Sequence, residues 1–269
     1  GYSSSTDNIY ATITQAVQAA NEYTYDNGKL TYPKAYAVIE VLSGSYTEQV
    51  YLNGQPVLLL GELGSLQGPP VILGRSDYDD YSLRLESASV VEGFIITKTP
   101  GRKGGGVYVG SSYGSTSKRR RLVNSVIRGN ETSYGGGVYN NATNLDMVHC
   151  TILANKGTSQ GRAIYNGSSG TLNLINSIVW GNTGTATQEI FKDSLSTVSV
   201  IQSIVSGGEQ SGINADPQLT PAGWLRSTSP AINRAGVVMV VTYDIHGEAR
   251  SVGTTSDLGA DEYKDNNGA

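Results

Sequence analysis

Cysteine occurs once in these 269 residues, and phenylalanine and tryptophan twice each. The lone Cys150 excludes an internal disulfide, and it reads as a small core residue. Charged residues make up only 16% of the chain and apolar ones 38%, against 34 glycines, which excludes a thick globular core. No run of about 20 apolar residues occurs, so no segment is fit to span a membrane as a helix. A net charge of −4 implies no general affinity for nucleic acid or for an acidic membrane surface.

What the chain does have is repetition. NSVIRGN at 124–130 returns as HCTILAN at 149–155, NSIVWGN at 176–182 and QSIVSGG at 202–208, in steps of 25, 27 and 26 residues. A second phrase keeps nearly the same period: GGGVYV at 104–109, GGGVYN at 135–140, GRAIYN at 161–166 and QEIFKD at 188–193, in steps of 31, 26 and 27. A fixed period of this size marks stacked supersecondary units. A coil of about 26 residues is too short for a crossover helix but holds two or three short strands joined by tight turns. Coils stacked about 4.8 Å apart bury each apolar column against its copies above and below. The expected fold is all-β, a single-stranded parallel β-helix.

Alternation assigns an inward face to Val123, Ser125, Ile127 and Gly129 and to their counterparts in the next three coils. Val126, Thr151, Ile178 and Ile204 are β-formers on the opposite parity, which predicts a bend nearby. Asn130, Asn155 and Asn182 share one column and should form an amide ladder. Tyr108, Tyr139, Tyr165 and Phe191 should form an aromatic one.

The period offers no cut, so residues 1–269 read as one domain: an N-terminal capping helix within 7–27, coils over 35–212, and a C-terminal capping segment over 213–265. Ile9, Ile13, Ala16, Val17 and Ala20 recur at helical spacing, with Thr12 as N-cap. Such a helix would cover the open end of the solenoid. SSYGSTSKRRR at 111–121 and the stretch 156–163 read as inserted loops.

The helix followed by IEVLSGSYTEQVYL, with Gly44, Tyr46 and Glu48, resembles the opening of pectin-lyase-like β-helix proteins. DPQL at 216–219, SPAINRAG at 229–236, DIHGEAR at 244–250 and DLGADEY at 257–263 resemble the C-terminal segment of bacterial cell-surface β-helix proteins of the choice-of-anchor type. The resemblance implies a right-handed helix, export to the bacterial surface with a signal segment removed, and an irregular C-terminal cap pinned by ion pairs of Asp244, Arg250, Asp257 and Glu262. Some members of the superfamily are polysaccharide lyases and glycosidases, so fold does not decide function.

A calcium-dependent lyase would need carboxylates in matching columns of neighbouring coils. Here Asp146 falls level with Arg121, Asn173 and Ser199, and Glu189 with Gly106, Gly137 and Ala163. A glycosidase needs two carboxyl groups across a bond, and the repeats carry no such pair. His149 takes a position held elsewhere by Asn124, Asn176 and Gln202, and reads as a polar ladder member. Asp77, Asp79 and Asp80 read as a solvated turn, with a calcium loop as the alternative; no other cofactor is expected. Arg119, Arg120 and Arg121, with Lys118, could meet acidic glycans through guanidinium bonds. Trp180 would serve either as a sugar-stacking platform or as a residue under a covering loop.

The expected function is a noncatalytic surface protein that binds polysaccharide or another macromolecule along its elongated face. A lyase or glycosidase using Asp146, His149, Lys156, Arg162 or Lys192 is the first alternative, and a structural stalk the second.

Overall fold

A β-former run, a corner and a second β-former run repeat along the chain, and each repeat lays one strand on each of three parallel sheets. The structure is a computed structural model, and it describes residues 9–21, 24–26, 29–31, 37–75, 80–98, 105–110, 119–141, 144–236, 241–250 and 255–264. The first sheet stacks seven strands, from Ala37–Val41 through Arg119–Val123, Asn144–Val148 and Thr171–Ile175 to Thr197–Ile201. The second stacks seven, from Ser45–Thr47 to Ile204–Val205, and the third six, from Val50–Leu52 to Ile190–Lys192. Registers hold like upon like: Val123, Val148, Ile175 and Ile201 are partners in series, as are Ile127, Ile152, Val179 and Val205. The fold is a parallel β-helix.

Leu122, Met147 and Leu174 of the first sheet, Ile127, Ile152 and Val179 of the second, and Val107, Val138 and Ile164 of the third are all fully buried in one continuous core. Burying each such side chain stabilises by about 1.5–3 kcal/mol, and the core grows coil by coil. Two of the columns expected to face inward do not. Asn124, His149, Asn176 and Gln202 adopt left-handed backbone, φ 45, 49, 50 and 40°. This corner flips the parity, so Val123, Val148 and Ile175 face outward. The fourth column, Gly129, Ala154, Gly181 and Gly207, is exposed and also left-handed, which makes it the turn into the next segment. The bend foreseen from the double run of β-formers is this corner.

The asparagine ladder is present. Asn130 Nδ2 donates to Asn155 Oδ1 at 3.0 Å, and Asn155 Nδ2 to Asn182 Oδ1 at 3.0 Å. Each acceptor also takes the backbone N–H of the asparagine one coil earlier, at 3.1 and 3.0 Å. The aromatic column is present too: Tyr108, Tyr139, Tyr165 and Phe191 lie 5.5, 4.8 and 5.2 Å apart, ring on ring.

The N-terminal helix, α1, is shorter than expected and spans Ile13–Ala20. Thr12 does cap it, accepting from Gln15 N at 3.1 Å, and the Glu48 carboxylate takes the N–H groups of Ile13 and Thr14 at 2.9 and 2.7 Å. A helix N-terminus favours such a negative charge. Ile13 and Val17 are buried on the first coil, whereas Ile9 is 94% exposed and precedes the helix. On the C-terminal side a strand, Thr24–Asp26, already begins inside the expected helical range.

The two stretches read as loops are corrected in part. Arg119–Arg121 are strand residues of the first sheet, and Lys156–Gln160 form a strand paired in parallel with Glu131–Tyr134; residues 111–118 lie outside the described set. The far end is closed by Ser206–Ser211, whose Glu209 accepts from Glu189 N and Ile190 N at 2.9 Å each.

The tail beyond it returns along the flank of the solenoid instead of sitting on the last coil. It docks on the corner column: Asn176 exchanges hydrogen bonds with Gly236 O and N at 2.9 and 3.0 Å, and Asn124 donates to Tyr243 O at 2.6 Å. It also covers the outward residues Val126, Leu153, Ile178 and Ile204 with Leu225, Ala231, Ile245 and Leu258. No helix among the described residues is long and apolar enough to cross a membrane.

Candidate functional site

The chain's inward columns are filled, so ligand chemistry belongs to the outer faces. On the first sheet, the outward column Val90, Arg121, Asp146, Asn173 and Ser199 follows from register. Asp146 is the centre of a polar cluster. It accepts from Arg119 Nη1 and Asn173 Nδ2, both at 2.7 Å, and lies 3.5 Å from Arg121 Nε. Asp146 is buried while the two arginine side chains are 53% and 40% exposed. Two guanidinium groups on one carboxylate leave a net positive charge facing solvent in a fixed position.

Beside this cluster Val123 and Val148 of the outward column form an apolar floor with Val90, and the tail at Val241, Thr242 and Tyr243 forms a wall. The two enclose an open trough of about 370 Å³ that also includes Glu92 and Arg121. Burial raises the pKa of Glu92, against the lowering effects of the Asn124 amide and of Arg250. Glu92 and the apolar stripe were missed in the sequence because alternation alone put Val123 inside.

The remaining candidates disperse. Arg120 points into the solenoid, is 2% exposed, and donates to Glu86 O at 2.8 Å; burial lowers its pKa. It therefore leaves the cationic run seen in sequence. His149 is buried beneath the tail, 3.2 Å from Asn176 Nδ2, and burial followed by the charge of Arg250 pushes its pKa down to about 3. Lys156 pairs with Glu131 at 3.1 Å. Arg162 reaches Ala186 O, Thr187 O and the buried Glu189. Lys192 is exposed at the last strand of the third sheet. Asp80 accepts from Gln49 and contacts Arg84 at 3.5 Å, while Asp77 and Asp79 lie outside the described residues.

Trp180 is half-buried among Leu225, Ala231 and Leu258 of the tail, so it lies under a covering segment. The outward aromatic column of the third sheet has its ring faces occupied by one another, with interplanar angles of 26, 20 and 12°. It offers edges and hydroxyls, which suits stiffness better than the stacking of a sugar ring.

The tail motifs converge on Arg250. Buried in the flank, it donates to Asn124 Oδ1 at 2.7 Å and to Gly259 O and Ala260 O at 3.0 Å, with Glu262 at 3.5 Å. Asp257 caps the chain at Asn233 N and Tyr263 N, both at 2.7 Å. Asp244 accepts from His246 N, Glu248 N and Glu262 N. Of the four charges expected to pair in the tail, Arg250 and Glu262 do so, Asp257 is held by backbone N–H groups and Asp244 by backbone N–H groups and His246, and the anchor is the corner of a central coil.

No protein-family model, curated protein or solved structure matches this chain.

Proposed function

We propose that this is an exported bacterial surface protein that binds an acidic polysaccharide, without cleaving it, along the outer face of its first sheet. The observation that carries the reading is the pair of exposed guanidinium groups, Arg119 and Arg121, held by buried Asp146 beside an apolar trough. Guanidinium groups meet carboxylate or sulfate in a bidentate fashion, and the trough suits the apolar C–H face of a sugar ring. The tail resemblance supplies the surface location.

The noncatalytic reading is supported by the state of the titratable candidates. Asp146 is tied to two arginines, Lys156 to Glu131 and Arg162 to Glu189, and His149 is buried beneath the tail. Glycoside hydrolysis needs two carboxyl groups facing one bond, about 5–9.5 Å apart, and none of these ties leaves such a pair.

The test is retention of the full chain on a panel of polyuronate, sulfated and neutral glycans, with reducing and unsaturated ends assayed on the same samples. Binding to acidic glycans that weakens with salt, drops about tenfold or more in R119A/R121A and leaves no new ends is the expected outcome. New unsaturated ends would replace the reading with a lyase, and no retention on any glycan with a stalk.

A further inference from the structure

Outside that face, the tail places three metal-ligating side chains together. His246 Nδ1 lies 3.1 Å from Asp261 Oδ1 and 3.6 Å from Asp244 Oδ2, and the three ligand atoms all fall within 4.8 Å of one another. Four donors around a zinc ion at 2.0–2.1 Å sit roughly 3.3 Å apart at the corners of a tetrahedron, a value that the two imidazole–carboxylate separations bracket.

The backbone hydrogen bonds engage the carboxylates mainly from behind. Asp244 Oδ1 accepts from His246 N at 2.9 Å and Glu248 N at 2.7 Å, which fills it, whereas Oδ2 accepts from Glu262 N at 2.9 Å and keeps one lone pair toward the imidazole. Asp261 Oδ2 accepts from Leu225 N at 2.7 Å and presents Oδ1. The 3.6 Å approach of the imidazole to Asp244 Oδ2 is longer than a hydrogen bond, and that carboxylate is 0% exposed. A buried carboxylate oxygen therefore faces this centre at ion-pair distance from the imidazole. The ring of Trp224 packs edge-on against His246 at 4.3 Å and fixes its plane. Backbone donors behind each ligand and a packed imidazole are the supports by which proteins orient metal ligands.

We propose that Asp244, His246 and Asp261 form a binding site for a zinc-class divalent ion, with water in the fourth position. One imidazole and two carboxylate oxygens suit zinc or a neighbouring transition metal. Calcium, which takes six to eight oxygens, does not fit two carboxylates whose other oxygens are engaged. The site staples the Tyr243–Ala249 hairpin to the segments bearing Asp261 and Leu225, and so fastens the tail.

The experiment is calorimetric titration of chelator-treated full chain with Zn²⁺ at pH 7, repeated with Ca²⁺. One Zn²⁺ per chain, a raised unfolding temperature and no comparable response to Ca²⁺ are expected. His246→Gln, at a side chain 31% exposed, keeps an amide donor near Asp261 and should bind more than about 100-fold more weakly, since losing a ligand costs more than the 10–100-fold of an outer-shell change. Should that variant fail to fold, the visible spectrum of Co²⁺ added to the wild type reports tetrahedral coordination directly. No zinc uptake by the wild type, or unchanged uptake by a folded H246Q, would overturn the site.

Discussion

Glu189→Gln should make the protein more stable at pH 8 and leave it unchanged near pH 4. Glu189 is 2% exposed, and its Oε2 accepts from Asn182 Nδ2 at 3.1 Å, ending the asparagine ladder, while Oε1 faces Arg162 at 3.4 Å. Burial is the largest influence and pushes its pKa from 4.5 up to about 7, opposed by Asn182 and Arg162 and aided by the neighbouring Glu209. The folded protein thus holds this proton more tightly than the unfolded chain does. Its contribution is complete below about pH 4.5 and is lost as the pH rises through about 7. A shift of this size corresponds to about 3 kcal/mol at 1.36 kcal/mol per pH unit. Glutamine copies the shape and acceptor of the protonated acid and never ionises. Denaturant unfolding of both proteins at intervals from pH 4 to 8.5 should give coincident stabilities at the acid end and a difference of about 3 kcal/mol in favour of the variant at the basic end. A difference that does not vary with pH, or a wild type more stable at pH 8, would refute the reasoning by showing that the Arg162 pairing outweighs burial.

Asn155→Ala should cost about 2–4 kcal/mol in chemical denaturation, because it strips the acceptor from the Asn130 backbone N–H and the side-chain donor from Ile127 O, each such buried group costing about 1–3 kcal/mol, while Asn130 Nδ2 and Asn182 Oδ1 keep other partners; a loss under 1 kcal/mol would show that the ladder is incidental. Arg250→Met should release the tail at a cost of about 3–5 kcal/mol, since it leaves Glu262 buried without its cation. Limited proteolysis should then cut within 241–264 while the strand signal in circular dichroism persists, and an uncut tail would count against the anchor. Cys150 should resist a disulfide reagent at pH 8 until the protein is denatured, because complete burial pushes its thiol up to about 12; one reactive thiol per native chain would contradict the core placement.

The period and the polar ladder were legible because each is a property of a column, repeated until chance is excluded. Asn130, Asn155 and Asn182 align in sequence and in space for the same reason: each amide completes the next. The facing of Val123 was not legible, because strand alternation carries no mark of a left-handed corner one residue later, and Asn124, His149 and Asn176 read equally well as ladder members. The corner could have been suspected from its residue types, since asparagine is the side chain that best tolerates this backbone. Nor could Arg120 be told from Arg119 and Arg121: three adjacent arginines look alike until the pleat sends the middle one inward against Glu86.

The corner also explains why tail and coils meet where they do. Left-handed backbone at four successive coils turns a row of amides and an imidazole outward along one edge, polar groups that a solenoid has no internal use for and that burial would penalise without partners. The tail supplies those partners with the backbone of Gly236 for Asn176 and of Tyr243 for Asn124, and with the Arg250 guanidinium for the oxygen of Asn124. Its apolar residues then cover the neighbouring outward column, Val126 and Ile178 among them. The motifs of the tail and the polar column of the repeats are therefore two halves of one interface. The outward residues Val123, Val148 and Ile175 are buried as well, with Val241 of the tail packed against them. What this stretch of the first sheet leaves exposed beside the tail is therefore fixed charge, the guanidinium groups of Arg119 and Arg121 held over Asp146.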